Sequence, residues 1–324
     1  MSGRSNPKDR KEQKNPPHGG FFCAVIHGQL CYHCIMIFLI FSILANTAIY
    51  LLFKWFERKG VRIFPAIVVN YLTALTIGLI VVPDLKVALA GASQWPAWTV
   101  GGLALGVVFI SIFYLMAITA QKVGVSVTTI ASKMSLALAV ILFVLTDPAE
   151  QMTLLKIIAI ILAVAGVVLS SLREDGTKLH LRAMIWPMLI LTGSTIIDFG
   201  IAHFSSLPQN ESELSLYSCL SFGMAACTGL VIIVFQFLRG QVQIAVKDIF
   251  AGLLLGAVNY GSIYFLVMSY DSGIMPKSSL LPVNNLGVVL MGAVAAMILF
   301  REKFSRFNWA GLLLSVVALV LLLM

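Results

Sequence analysis

Long apolar runs separated by short charged connections make up most of the chain. The runs fall at about 35–53, 64–82, 97–119, 124–145, 154–172, 184–204, 214–238, 249–270, 273–299 and 307–324. Each is close to or above the roughly 20 residues a helix needs to cross about 30 Å of hydrocarbon. The connections carry nearly all the charge, with turn formers such as Asp147-Pro148 and Asp175-Gly176. The period-two alternation of a membrane barrel is absent, and a helix satisfies its own backbone within lipid. The pattern therefore predicts an all-α integral membrane protein of about ten transmembrane helices.

Composition agrees with this reading. Hydrophobic residues make up 59% of the 324 positions and charged residues 11%, with a mean hydropathy of +0.96. Soluble domains carry about 25% charge. The net charge of +8 sits between the apolar runs, where basic groups meet lipid headgroups; no nucleic-acid signature accompanies it. Odd-numbered connections hold thirteen Lys and Arg and even-numbered ones three, Lys86, Lys156 and Lys277. The positive-inside rule puts the odd connections in the cytoplasm and both termini outside, in a cell (inner) membrane. Residues 1–20 are polar and basic and read as disordered. With Met36 at the start of the first clean apolar run, residues 1–35 are expected to be an N-terminal extension outside the native fold. The cluster Cys23, His27, Cys31, His33 and Cys34 fits no standard zinc spacing. No metal site is expected, and Cys219 and Cys227 read as ordinary helix residues. Asn210-Glu-Ser212 matches the short glycosylation pattern. With no phosphate loop, nucleophile elbow or His-rich motif, neither a cofactor nor a catalytic residue is expected, and the chain does not read as an enzyme.

The second half echoes the first. Gly102-Leu-Ala-Leu-Gly106 matches Gly252-Leu-Leu-Leu-Gly256, and Tyr114 matches Tyr264, both 150 residues apart. Glu150-x-x-Thr153 then matches Glu302-x-x-Ser305, and Ala159 and Gly166 match Gly311 and Ala318, now 152 apart. A five-plus-five duplication follows, over 36–172 and 184–324. Because five is odd, the copies enter the membrane from opposite sides, the inverted repeat of many secondary transporters. The glycine pairs permit close helix approach, either as internal packing or as a homodimer seam.

The segment Leu299-Phe-Arg-Glu302-Lys303, followed by Gly311-Leu-Leu-Leu, resembles the ending of each half in the EamA-type family of the drug/metabolite transporter superfamily. Its first-half counterpart is around Glu150 and Gly166. The resemblance spans 36–324 and implies ten helices as two five-helix inverted repeats, a central cavity and transport of small solutes, often by export.

Of 36 charged residues, only Lys133 and Asp198 fall deep within a span. Lys133 is about nine residues into the fourth run, roughly 13 Å from its start. A charge at that depth costs several kcal/mol or more unless paired or hydrated. Ser126, Thr128, Thr129, Ser132 and Ser135 give this helix a broad wettable side. In the ninth run, Lys277, Ser278, Asn284 and Asn285 share one arc, with Pro276 and Pro282 expected to interrupt the hydrogen-bond ladder and leave free carbonyls facing a cavity. Lys133 reads as substrate- or ion-facing, or as a structural pair with Asp198. Asp198 either carries a coupling proton or neutralises Lys133. Asn46, Asn70 and Asn259 line the cavity or hydrogen-bond between helices, and Tyr114 and Tyr264 are site candidates or packing residues. The function expected is a secondary carrier of small polar metabolites such as amino acids or organic anions, working by alternating access. A lipid or lipid-linked sugar flippase of the same fold and a membrane-embedded enzyme are the alternatives.

Overall fold

In a computed structural model, the described residues are 28–146, 151–172, 181–241, 243–271 and 277–323. They form twelve helices: α1 (Gly28–Arg58), α2 (Ile63–Val81), α3 (Leu85–Ala92), α4 (Ala97–Lys122), α5 (Val125–Lys133), α6 (Ser135–Thr146), α7 (Leu154–Ser171), α8 (Leu181–Ser205), α9 (Glu211–Leu238), α10 (Val246–Asp271), α11 (Lys277–Phe300) and α12 (Arg306–Leu321). Among the described residues, nine helical segments are long and apolar enough to cross a membrane, counting α5 and α6 as one, and α12 is a shorter apolar helix. This is the make-up of a multi-pass membrane protein. Large apolar side chains such as Ile161, Ile185, Val231, Phe250 and Ile298 point outward. In water they would be a liability; in a bilayer they are the solvent-matched face.

Three details differ from the pattern-based expectation. Helix α1 begins at Gly28, before Met36, while residues 1–27 lie outside the described set. A short helix, α3, follows the second span, started by the Asp84 carboxylate accepting from the Lys86 and Val87 amides. The last helix ends at Leu321 after only 16 residues. Helix α11 runs unbroken through Pro282. That proline deprives only the carbonyl four residues earlier, and the remaining ladder carries the helix. Pro276, Asp147-Pro148, Glu150 and Asp175-Gly176 lie outside the described residues, as do the side chains of Lys277 and Ser278.

The fourth span is broken into two helices with no proline present. Between α5 and α6, Met134 closes back onto Ile130 at 2.9 Å, and the Ala137 amide turns to the Met134 carbonyl at 3.1 Å, three residues back rather than four. Ser135 Oγ shares its one proton between the Ser132 carbonyl and Asp198, and Thr195 Oγ1 of α8, bonded to its own Leu191 carbonyl at 2.8 Å, lies 3.4 Å from the Ser135 carbonyl. Hydroxyls inserted into the ladder are an established cause of such breaks.

Helices pack through small residues. Gly106 of α4 lies so close to α9 that an added Cβ would sit 2.5 Å from the Ser221 carbonyl and 2.6 Å from Met224 Cβ; Gly102 faces Tyr217. Gly256 of α10 meets the Asn70 carbonyl and Thr73 of α2 in the same way, and Gly252 meets Ala66 and Val69. Both glycine pairs are thus spent on packing within the chain. Gly166 and Gly311 bring α7 and α12 together. The interior is filled by Tyr50, Phe53 and Phe56 of α1, Tyr71 of α2 and Phe222 of α9. Phe113 joins them edge-on to Phe53, with ring centroids 5.2 Å apart.

One end of the bundle gathers the basic connections. There Arg58 reaches the Leu299 and Phe300 carbonyls and stacks 4.7 Å over the Phe300 ring. Lys54 meets Glu57 at 2.7 Å and the Gln121 carbonyl. The Asp248 carboxylate, fully buried, accepts from the Arg62 and Ala245 amides, both at 2.9 Å, and so joins the starts of α2 and α10.

Candidate functional site

The two deep charges meet near the interruption. Lys133 is the last residue of α5, and its ammonium donates to Asn46 Oδ1 of α1 at 3.1 Å. Asp198 of α8 accepts from Ser135 Oγ, the first residue of α6, at 2.5 Å. Tyr50, one turn along α1 from Asn46, donates to Ser132 Oγ at 3.0 Å. Thr195, one turn before Asp198, lies beside the cluster, its hydroxyl given to the Leu191 carbonyl at 2.8 Å and 3.4 Å from the Ser135 carbonyl. Lys133, Asp198 and Asn46 are each only partly buried, whereas Tyr50, Ser132 and Ser135 are enclosed. Each charge therefore rests on a neutral group. Lys133 and Asp198 sense each other electrostatically but form no direct ion pair. The direct structural pairing considered for them is not the observed geometry.

The broad wettable side expected of the fourth helix is instead buried. Thr128 Oγ1 returns to the Gly124 carbonyl and Thr129 Oγ1 to the Ser126 carbonyl, both at 2.8 Å. In apolar surroundings a hydroxyl without water bonds to its own helix. Thr129 also packs against Gly292 of α11. Ser126 faces the basic end, where Glu302 takes over the start of α5. The Glu302 carboxylate accepts from the Val125 amide at 2.8 Å, from Ser126 Oγ at 3.0 Å and from the Ser126 amide at 3.4 Å. Gly124, at φ +139°, leaves room for it; a Cβ there would lie 3.2 Å from both carboxylate oxygens. Thus α5 is held at its start by a carboxylate from the α11–α12 connection and carries Lys133 at its end.

Beside this clasp lies a cavity of 590 Å³ lined by Ser126, Ser170, Glu302, Lys303, Ser305 and Asn308, among others. Its lining reaches Ile130, one turn short of Lys133 along α5. Asn308 ties the cavity's far wall together by donating to the Ser170 carbonyl at the end of α7.

The remaining candidates separate. Asn284 and Asn285 of α11 are buried, and their side-chain oxygens have no partner. Asn259 Nδ2 donates to Asn70 Oδ1 at 3.2 Å, an interhelical bond between α10 and α2. Tyr114 packs edge-on against Phe64 at 5.2 Å, and Tyr264 is exposed beside Phe265, so neither belongs to the Lys133 cluster. Cys219 is buried and Cys227 exposed, both as free thiols. The Asn210 side chain of the glycosylation pattern caps α9 by accepting from the Glu213 amide. Tyr50 was not singled out from sequence, although its place one turn from Asn46 on α1 was the available signal.

No family model matches the chain. It is 27% identical over 289 residues to an uncharacterized protein of Haemophilus influenzae, an alignment covering 87% of this chain and 95% of that protein. A solved crystal structure matches with a TM-score of 0.55 at 15% identity, covering 89% of this chain and 96% of the other. At that identity the likeness shows the fold alone.

Proposed function

We propose that the chain is a secondary transporter, an exporter of small polar metabolites in the cell (inner) membrane, built as two inverted five-helix repeats of the EamA type. The observation that carries this reading is a mid-span lysine at the end of an interrupted helix, resting on an amide rather than on the nearby carboxylate. Interrupted spans at membrane depth recur where carriers bind their cargo. A charge kept there at a cost of several kcal/mol is a functional residue by default.

Reciprocal packing supports the inverted repeat. Gly106 touches Ser221 and Met224, and Gly256 touches Asn70 and Thr73. The glycines are 150 positions apart, and Ser221 and Met224 are each 151 from Asn70 and Thr73. Likewise Ser135 meets Thr195 and Gly287 meets Ile43, with Gly287 152 beyond Ser135 and Thr195 152 beyond Ile43. What one half does to the other is thus returned, as a two-fold axis requires. At the same shift of 152, Lys133 matches Asn285 and Asn46 matches Asp198. Each charge has a neutral amide as its repeat mate. Exchange of the halves between two packings would open this site to alternate sides, with Asp198 a candidate for a coupling proton.

The test is the small-molecule profile, inside and outside, of cells expressing the chain against Lys133→Ala at equal membrane levels. A polar metabolite that changes sides with the wild type and not with the variant supports the carrier. Profiles equal to those of an empty vector would remove the small-solute reading and turn attention to lipid substrates.

A further inference from the structure

We infer that α3 and Trp95 form a membrane-surface anchor, a short helix lying in the headgroup layer of the leaflet opposite the basic connections, with lipid as its partner.

Helix α2 starts at the basic end, and its 19 residues rise about 28 Å, so it delivers α3 to the other membrane surface. The eight residues of α3 are too few to span. Ala88, Gly91 and Ala92 share its inner face. Ala88 and Ala92 pack into a small apolar cluster with Trp98, Leu216 and Tyr217, and a Cβ on Gly91 would sit 2.4 Å from Glu213 Oε1. The Asp84 amide donates to Ser212 Oγ at 3.2 Å, so α3 is fixed to the first turn of α9. Leu85 and Leu89, one turn apart, form an exposed edge beside that face, and Lys86 lies beyond them. An apolar edge bordered by a cation matches the change from acyl chain to phosphate at a membrane surface.

Trp95 decides in favour of lipid. Its φ of +52° is a left-handed conformation that glycine adopts freely and a bulky residue only at a cost. The Trp95 amide donates to the Ala92 carbonyl at 3.0 Å, but the side chain is 66% exposed and gains little from packing within the chain. What offsets the strain lies outside the chain, and the headgroup layer is where an indole is best solvated. Trp55, Trp186 and Trp309 lie on α1, α8 and α12 near the basic end and make one aromatic belt. Trp98 is buried, which leaves Trp95 as the counterpart of that belt on the other surface. A stable protein partner takes roughly 800 Å² from each side. Two leucines and one indole offer far less, whereas lipid sets no such threshold. Clamped through Ser212 and Glu213, the anchor fixes the depth at which α9 begins.

The experiment uses the full chain in proteoliposomes and compares the tryptophan fluorescence of wild type with that of Trp95→Phe. The quenchers are phospholipids brominated at shallow or deep acyl positions, and aqueous iodide. The component lost in Trp95→Phe should be quenched more by shallow than by deep bromines, and only weakly by iodide. Nitroxide labels on Leu89→Cys and Val87→Cys, with the native cysteines replaced, give a second reading that does not depend on Trp95→Phe folding. The Leu89 label should report a depth of about 5–10 Å into the headgroup–acyl boundary, meeting oxygen more often than a nickel chelate. Val87 lies on the opposite edge of α3, and its label should show the reverse preference. A Trp95 component quenched freely by iodide and not by bromines places the indole in water and overturns the proposal. A component reached by neither quencher means that protein covers it, a second copy or another partner, and overturns it equally. So would labels at the two edges that report the same depth.

Discussion

Replacing Glu302 by alanine removes the carboxylate that starts α5. Two good hydrogen bonds are lost, to the Val125 amide at 2.8 Å and Ser126 Oγ at 3.0 Å, with a weaker one to the Ser126 amide at 3.4 Å. A lost cap costs about 1 kcal/mol, and a negative charge at a helix start adds roughly 0.3–1 kcal/mol, more when partly buried. Leaving the partly enclosed donors unpaired raises the total to about 2–4 kcal/mol. At about 2 °C per kcal/mol for a chain of this size, the melting temperature of the detergent-purified protein should fall by roughly 4–8 °C. Glu302→Gln keeps an acceptor without the charge and should lose about half as much. Gly124→Ala should be destabilised by a different route, since an L residue at φ +139° is strained and its Cβ crowds the carboxylate. Melting of Glu302→Ala within 1 °C of wild type would refute the claim that this carboxylate anchors α5. So would a Gln variant that melts below the Ala variant.

Two other outcomes follow from packing and charge. Gly106→Ala and Gly256→Ala should each destabilise by about 1–3 kcal/mol, because the new methyl meets backbone on α9 or α2 that has nowhere to move. Their size-exclusion profiles should otherwise match wild type; a change of oligomeric state without destabilisation would revive the homodimer seam. For orientation, with the native cysteines replaced, Gln241→Cys at the basic end should resist an impermeant thiol reagent added to intact cells. Ser93→Cys, beyond α3, should react, and the opposite pattern would invert the assigned topology.

The apolar runs and the two deep charges were legible in the linear sequence because lipid imposes its demand residue by residue. A span must be long and apolar, and a charge within it stands out whatever its neighbours. The glycine pairs were legible as close-packing sites for the same local reason. Their partners were not, since choosing α9 and α2 depends on how the spans are arranged. The tertiary structure likewise decided that Lys133 rests on Asn46 and Asp198 on Ser135. It also decided that the fourth span breaks at Met134 beside the Ser135 and Thr195 hydroxyls, while Pro282 leaves α11 whole. Glu302 belonged to a visible motif, yet its task lay 177 residues away at Val125. Hydrophobic length is written along one helix; hydrogen-bond partners are set between helices, and only the packed bundle brings them together.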